Sequence, residues 1–357
     1  MPRWMFGAAL SAGMLAWTAG SARADGFTVA EALPSVRVGV AVDSGVVEAP
    51  AGVRGGSAEV VYRTEVYVPH ASWLRVWFDR LELAGTPGED GSYLVITSLE
   101  DGAWQRLDAA GAEDWGLSTA YFNGESVEIE LWAYPGAGPN RLAFTQVAAG
   151  EEPVEPRSIC GEHDDRVLSY DPRAGSLNGG CTAWLIDHGG SGNRFLTAGH
   201  CISNGSTGGV VFFNVPLSTA TGGFRAPAPE YQYPIDSASI QSSGNGGVGQ
   251  DMATFHTRAN SNTGLAPLTA QGAGYVLAPV VPGVGTTVRV TGYGLRDGNF
   301  PDIPRTWNTA QKTHTGPLVG RTGNPLRYRP DTVGGNSGSP VMDEDTGHAI
   351  AIHTHGG

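Results

Sequence analysis

The sequence predicts an all-β protein in two parts: an N-terminal antiparallel β-sandwich over residues 25–147 and a second all-β domain over 158–357. Three observations carry this. Gly (53) and Pro (23) are heavily used in 357 residues, which favours short strands and tight turns over long helices. Apolar residues recur with period two in several stretches, and no helical period of comparable clarity interrupts them. The length suits roughly two domains at ~150 residues each.

In chain order, residues 1–24 read as a secretory signal. Arg3 gives a positive start, Met5 to Gly20 is mostly apolar and small, and Ala22-Arg23-Ala24 is an A-x-A cleavage site. The mature chain is therefore expected to begin at Asp25, extracellular or periplasmic, in a setting that permits disulfides. The apolar stretch is shorter than the ~20 residues a membrane span needs, and nothing later reaches that length. Residues 25–57 have weak periodicity. From Glu59 to about Val147 the pattern sharpens. Val127, Ile129, Leu131 and Ala133 share one face of a half-buried strand, with Glu128 and Glu130 on the other. Trp73 to Leu83 and Tyr93 to Leu99 are two more strands, and Glu100-Asp101-Gly102 is a hairpin turn leading to Trp104. Residues 148–157, acidic and broken by prolines, are the expected linker. Strands resume at Ala183 to Ile186, Phe195 to Ala198, Val210 to Phe213, Thr287 to Tyr293 and Ala349 to His353, with a turn over Asp187 to Asn193.

The net charge is −13: +2 over residues 1–24, −11 over 25–150 and −4 over 151–357. Such an acidic chain has no electrostatic footprint for nucleic acid or an anionic membrane, and fits a soluble secreted surface.

Two strings carry the chemistry: Thr-Ala-Gly-His-Cys at 197–201 and Gly-Gly-Asn-Ser-Gly-Ser-Pro at 334–340. A Ser hydroxyl is a poor nucleophile at neutral pH and needs a base in hydrogen-bond reach, itself held in one tautomer by a third group. Around Ser337, Gly334, Gly335 and Gly338 allow backbone conformations closed to other residues, so that main-chain N–H groups can converge on one point. An oxyanion hole requires this, and one such donor is worth ~3 kcal/mol of barrier. His200 follows a strand. Asp251, among apolar neighbours, can enter a strand and be partly buried, where an imidazole N–H is a suitable partner. Glu230, Asp236, Asp297, Asp302 and Asp331 sit in Pro- or Gly-rich turns and suit solvated caps better.

In this order, His200, Asp251 and Ser337 resemble the triad of trypsin-like serine peptidases of the two-β-barrel type. The resemblance covers roughly Cys160 to Gly357 and implies a chymotrypsin-like double β-barrel acting on protein or peptide substrates without a cofactor or metal. It implies His200 as general base, Asp251 as its orienting acid, Ser337 as nucleophile, and the N–H groups of Gly335 and Ser337 as the oxyanion hole. Val290 to Gly294 resembles the strand at the start of the second barrel. Asn336 stands where trypsin itself carries an Asp that pairs with a newly cut N-terminus. The Gly-Asn-Ser-Gly-Ser-Pro form resembles instead the bacterial glutamyl and lysyl endopeptidase branch. Ala349 to Gly357 resembles the strand lining the substrate cleft. In the family a further strand and a helix follow it, so the C-terminal end is expected to be missing here.

The resemblance also implies a Cys181–Cys201 disulfide bracketing His200. Cys160 is left over, either parted from a partner beyond Gly357 or as a free or differently paired thiol. In glutamyl endopeptidases a Thr five residues before the nucleophile and a His on the cleft strand bind an acidic side chain; the matching positions are Thr332 and His353, which favours an acidic residue at the cleavage site. Asp331, the nearby acid that basic specificity would use, precedes Thr332 in a turn. Thr354 stands where a hydroxyl bonds the triad acid.

Other readings are weaker. An esterase elbow, Gly-x-Ser-x-Gly, fails at Ser339, and its acid and base would fall within 20 residues of Ser337. A Ser-Lys dyad has only Lys312 to draw on. His348, His353 and His355, or His163 with Asp164 and Asp165, lack the i, i+4 helical spacing of a zincin. A catalytically inactive peptidase-like binding protein stays as the alternative. The N-terminal domain is either a pro-domain, binding its own peptidase, or a module for an external ligand.

Overall fold

The computed structural model describes residues 27–29, 33, 35–53, 56–150, 159, 162–187, 193–204 and 209–356. The expected secretory signal, residues 151–157 of the expected linker and Cys160 lie outside the described residues.

Two antiparallel sheets build the N-terminal sandwich around one core. One runs in the order Glu59–Tyr67, Ser126–Ala133, Tyr93–Ser98, Trp104–Asp108. The other is organised on Pro139–Gly150, with Ser35–Asp43 on one side and Trp73–Val76 then Phe122–Asn123 on the other. The period-two reading holds in Ser126–Ala133. Val127, Ile129, Leu131 and Ala133 are fully buried, while Glu128 and Glu130 lie on the opposite face beside Arg63 of the neighbouring strand. The expected hairpin also forms: Gly102 takes φ +72°, and the Asp101 carboxylate accepts the Ala103 N–H at 3.1 Å.

Two expectations are corrected here. The single strand over Trp73 to Leu83 is two, Trp73–Val76 and Arg80–Glu82, both paired with Pro139–Gly150. Between them the Phe78 N–H turns to Leu117 O, which breaks the ladder. The expected linker begins too early. Pro139–Gly150 runs through Ala148, Ala149 and Gly150, paired with Arg37, Val36 and Ser35. These small residues are packed, for a Cβ on Gly150 would lie 2.1 Å from Trp73 Nε1.

Beyond the sandwich, six strands close into a barrel in the order Ala174–Leu177, Cys181–Leu185, Arg194–Thr197, Gln250–Thr257, Gln232–Gly247, Val210–Phe212. Trp184, Phe195, Phe213, Tyr233, Phe255 and Tyr275 fill it, Phe195 stacking on Phe255 at 5.3 Å. The remaining strands form an open sheet: Val167–Leu168, Lys312–Arg321, Thr287–Gly292, Pro340–Asp343, Ala349–Ile352, with Leu326–Tyr328 also on Lys312–Arg321. Of the expected double β-barrel, incomplete at its C-terminal end, the described residues form one closed barrel and one open sheet. Ala349–Ile352 ends that sheet, pairing with Pro340–Asp343 and making a single bridge to Leu277. The site lies where barrel and sheet meet.

Candidate active site

His200 sits on a 3₁₀ turn, Gly199–Cys201, directly after Arg194–Thr197. Two features hold this turn against the strand Gln250–Thr257. The Cys181–Cys201 disulfide ties it to the next barrel strand. Gly199 lets it approach, since a Cβ there would lie 2.9 Å from Asp251 Oδ1 and 3.1 Å from Met252 N. Both Asp251 oxygens are then spent on one residue: Oδ1 accepts the His200 backbone N–H at 2.7 Å and Oδ2 lies 2.6 Å from His200 Nδ1. The Asp251 side chain is fully buried and that of His200 is 36% exposed. Burial pushes the Asp251 carboxyl up, but the two hydrogen bonds from His200 and the charge on the imidazole outweigh it, so its pKa ends below the usual carboxylate value. An acceptor fixed on Nδ1 leaves Nε2 to act as the base.

Ser337 is placed by a loop that only glycines permit. Gly335 and Gly338 have φ +96° and +87°. A Cβ on Gly338 would lie 2.1 Å from Thr182 O and 2.3 Å from Thr197 Oγ1, which brings Ser337 against the strand ends that lead into His200. The Ser337 carbonyl accepts from Thr182 N at 2.8 Å, and Gly338 N donates to His353 O at 2.7 Å. Val290 to Gly294 makes room behind: Cβ atoms on Gly292 and Gly294 would lie 2.0 Å from Ser339 Oγ and Asn336 Oδ1. Asn336 is buried and its Oδ1 accepts the Val333 N–H at 3.1 Å, so it braces the loop. The amides of Asn336, Gly338 and Ser339 are bonded within the protein, whereas those of Gly335 and Ser337 have no acceptor among the described residues. Ser337 and His200 are not hydrogen-bonded to each other; such contacts are often long without substrate.

A cleft of about 640 Å³ reaches Asp251, though neither His200 nor Ser337 is among its lining residues. Thr332 and His353 both line it, each only 4% exposed, with Asp251, Thr354 and His355. Thr354 does not take its expected part: its Oγ1 meets His355 Nδ1 at 3.0 Å, and it makes no hydrogen bond to Asp251. Asp331 lies outside the cleft lining, buried, accepting from Asp165 N–H at 3.1 Å with His314 Nδ1 at 3.3 Å. Sequence reasoning missed Tyr328, Arg327 and Arg329, which line the cleft from the hairpin strand Leu326–Tyr328 and the residue after it. Their place depends on pairing with Lys312–Arg321, which no motif announces.

Some residues weighed as metal ligands are engaged elsewhere: His353 with Tyr328, His163 with Asp302 at 3.2 Å, Asp164 with Arg166 at 2.6 Å. Donor atoms of Asp165, His314 and Asp331 lie within 4.8 Å of one another, as do those of His200, Asp251 and His355. The first set is bonded internally and the second contains the His200–Asp251 pair.

Residues 181–352 match the family model of the trypsin-like peptidase domain. Over those residues the chain is similar to trypsin-like serine peptidases, and its curated relative is of the glutamyl endopeptidase branch. Glutamyl endopeptidase of Bacillus licheniformis is 28% identical to it over 265 residues, which are 66% of this chain and 74% of that protein. A solved Glu endopeptidase in complex with MPD covers 56% of this chain and 88% of its own, at 22% identity and a TM-score of 0.41. The thermostable serine protease AL20, from an extremophilic microorganism, covers 52% and 82%, at 15% identity and a TM-score of 0.35. The match thus extends from the barrel into the open sheet, and the sandwich lies outside it.

Proposed function

We propose that the protein is a secreted serine endopeptidase that cleaves after acidic residues through His200, Asp251 and Ser337. The observation that carries the reading is the His200–Asp251 pair, in which one carboxylate fixes both the backbone and the ring of the base. Ser337 Oγ attacks the scissile carbonyl while His200 Nε2 takes its proton. The unbonded N–H groups of Gly335 and Ser337 hold the oxyanion. His200 returns the proton to the leaving amine, and water hydrolyses the acyl-enzyme by the same route. Asp251 stays ionised throughout.

The acidic preference follows from charge. In a chain of net charge −13, the cleft is lined by two guanidinium groups, Arg327 and Arg329. Its one acid among the described residues, Asp251, is committed to His200. Thr332 and His353 supply a hydroxyl and an imidazole at the buried end of the cleft. The sandwich belongs to this reading as a module that stays attached, because Val210, Phe212, Phe224 and Ala226 of the peptidase half share its core.

A fluorophosphonate probe on the full chain tests the enzyme: prompt labelling of Ser337, lost in Ser337→Ala and His200→Ala, is expected. Absence of labelling would favour the alternative, an inactive peptidase-like binding protein. Peptides differing only at the residue before the scissile bond test the preference. Faster cleavage after Lys or Leu than after Glu would overturn it.

A further inference from the structure

His353 is held closely. Its N–H donates to Ser339 O at 2.8 Å and its carbonyl accepts from Gly338 N at 2.7 Å, so its backbone is clamped on either side of the residue after Ser337. Its ring is buried, with Nδ1 2.8 Å from the hydroxyl of Tyr328. Tyr328 reaches it from another element, the end of Leu326–Tyr328, which folds back on Lys312–Arg321 with Tyr328 opposite Leu318. The two rings are tilted by 55° with centroids 6.0 Å apart, so the contact runs through the hydroxyl and not through stacking. Nε2 of His353 has no protein partner among the described residues, and the residue lines the cleft.

The direction of this hydrogen bond fixes the chemistry of the ring. A phenol hydroxyl has one proton, and Nδ1 of Tyr328's partner is its one neighbour among the described residues. If Nδ1 carried a proton and donated it, the phenol proton would be left without an acceptor in a part-buried place, an arrangement that costs free energy. With the phenol donating to a bare Nδ1, both groups are satisfied and the ring proton of neutral His353 must sit on Nε2. Burial, with His355 and His200 nearby, lowers the His353 pKa to about 4, so the ring is neutral at ordinary pH. A neutral imidazole offers a single N–H, and a ring free to exchange tautomers would offer the cleft a bare nitrogen for part of the time.

We propose that Tyr328 is a specificity-positioning residue: its hydroxyl donates to Nδ1 of His353 and holds the ring in the tautomer that presents an Nε2–H to an acidic side chain in the cleft. This rests on the acidic preference proposed above. Tyr328 does not touch the reacting atoms, so its loss weakens recognition and spares the nucleophile.

The test is Tyr328→Phe in the full chain, assayed on two peptides that differ only in Glu or Gln before the scissile bond. The variant is expected to lose about tenfold in kcat/KM on the Glu peptide, mostly through KM, in line with one lost hydrogen bond. Cleavage of the Gln peptide and fluorophosphonate labelling of Ser337 should change less than about twofold, which also reports an intact fold. ¹⁵N chemical shifts of His353 give an independent readout: the Nε2–H tautomer in the wild type and a mixture in Tyr328→Phe. A wild type that prefers Glu, paired with a variant of unchanged Glu-to-Gln ratio, would overturn the role of Tyr328 alone. So would an Nδ1–H tautomer in the wild type, whether or not the variant folds. A wild type without preference for Glu over Gln would remove the underlying reading and this role with it.

Discussion

At the scale of single residues, the burial of His353, proposed above for recognition, also bears on stability. The His353 pKa is lowered from 6.5 to about 4 by burial and by His355 and His200. Between these values the unfolded chain binds a proton that the folded chain refuses, so stability rises with pH across the window and falls on acidification. Two to three pH units at 1.36 kcal/mol each make this roughly 3 kcal/mol, fully present above pH ~6.5 and lost on the way to pH ~4. Urea unfolding at pH 7 and pH 4 in a Ser337→Ala background, which prevents self-digestion, should show this loss, and His353→Gln should lose less by about that amount. Equal acid sensitivity of the two chains would mean that His353 is not held neutral. Thr332 and His353 are picked out by the resemblance to glutamyl endopeptidases, and both lie in the cleft lining. Tyr328 is not picked out. Its offset from Ser337 carries no chemistry until Lys312–Arg321 folds it across to the cleft.

At the scale of elements, legibility followed the pattern of burial. Ser126–Ala133 has one wet face and one dry face, and its alternation gives it away. Trp73–Val76 is buried on both faces, with Arg75 bonded to Thr119 O at 3.0 Å and Ser118 Oγ at 2.8 Å, so no alternation marks where it stops. Pro139–Gly150 ends on Ala-Ala-Gly, which reads as flexible chain by composition yet lies beneath Trp73. Gly150→Ala makes that packing measurable. The new Cβ would meet Trp73 Nε1 at 2.1 Å and Cε2 at 2.5 Å, both in a rigid ring, and should cost about 1–3 kcal/mol or more as overpacking. Gly39→Ala on the adjacent strand Ser35–Asp43 is the control, because nothing lies within 4 Å of its added Cβ. Thermal unfolding of both variants decides it. Equal midpoints would mean that residues 148–150 behave as the linker their composition suggests.

At the scale of the whole molecule, the sandwich and the barrel are joined by a dry and hydrogen-bonded seam. Tyr121 packs edge-on against Phe212 at 5.1 Å. Gln232, fully buried, accepts from Tyr121 N–H at 2.9 Å and donates to Tyr121 O at 2.8 Å, acting as a strand partner made from a side chain. Asn123 does the same for Ala226, accepting its N–H at 2.8 Å and donating to its carbonyl at 3.0 Å. A pro-domain that leaves would strip these partners from buried polar groups and bare Val210, Phe212 and Phe224, a patch that a monomeric enzyme rarely exposes. Retention therefore predicts one cooperative unfolding transition for the Ser337→Ala chain. Gln232→Ala removes the side chain that bonds the Tyr121 N–H and C=O and should lower that single transition, at a cost of roughly 2–4 kcal/mol. It should not split it. Calorimetry and the mass of the mature protein check this together. Two transitions of which only one moves, or a fully active secreted form beginning near Ser158, would mean that the sandwich is a separable pro-domain. One transition in a secreted form that still holds residues 35–150 would make the seam a permanent part of the enzyme.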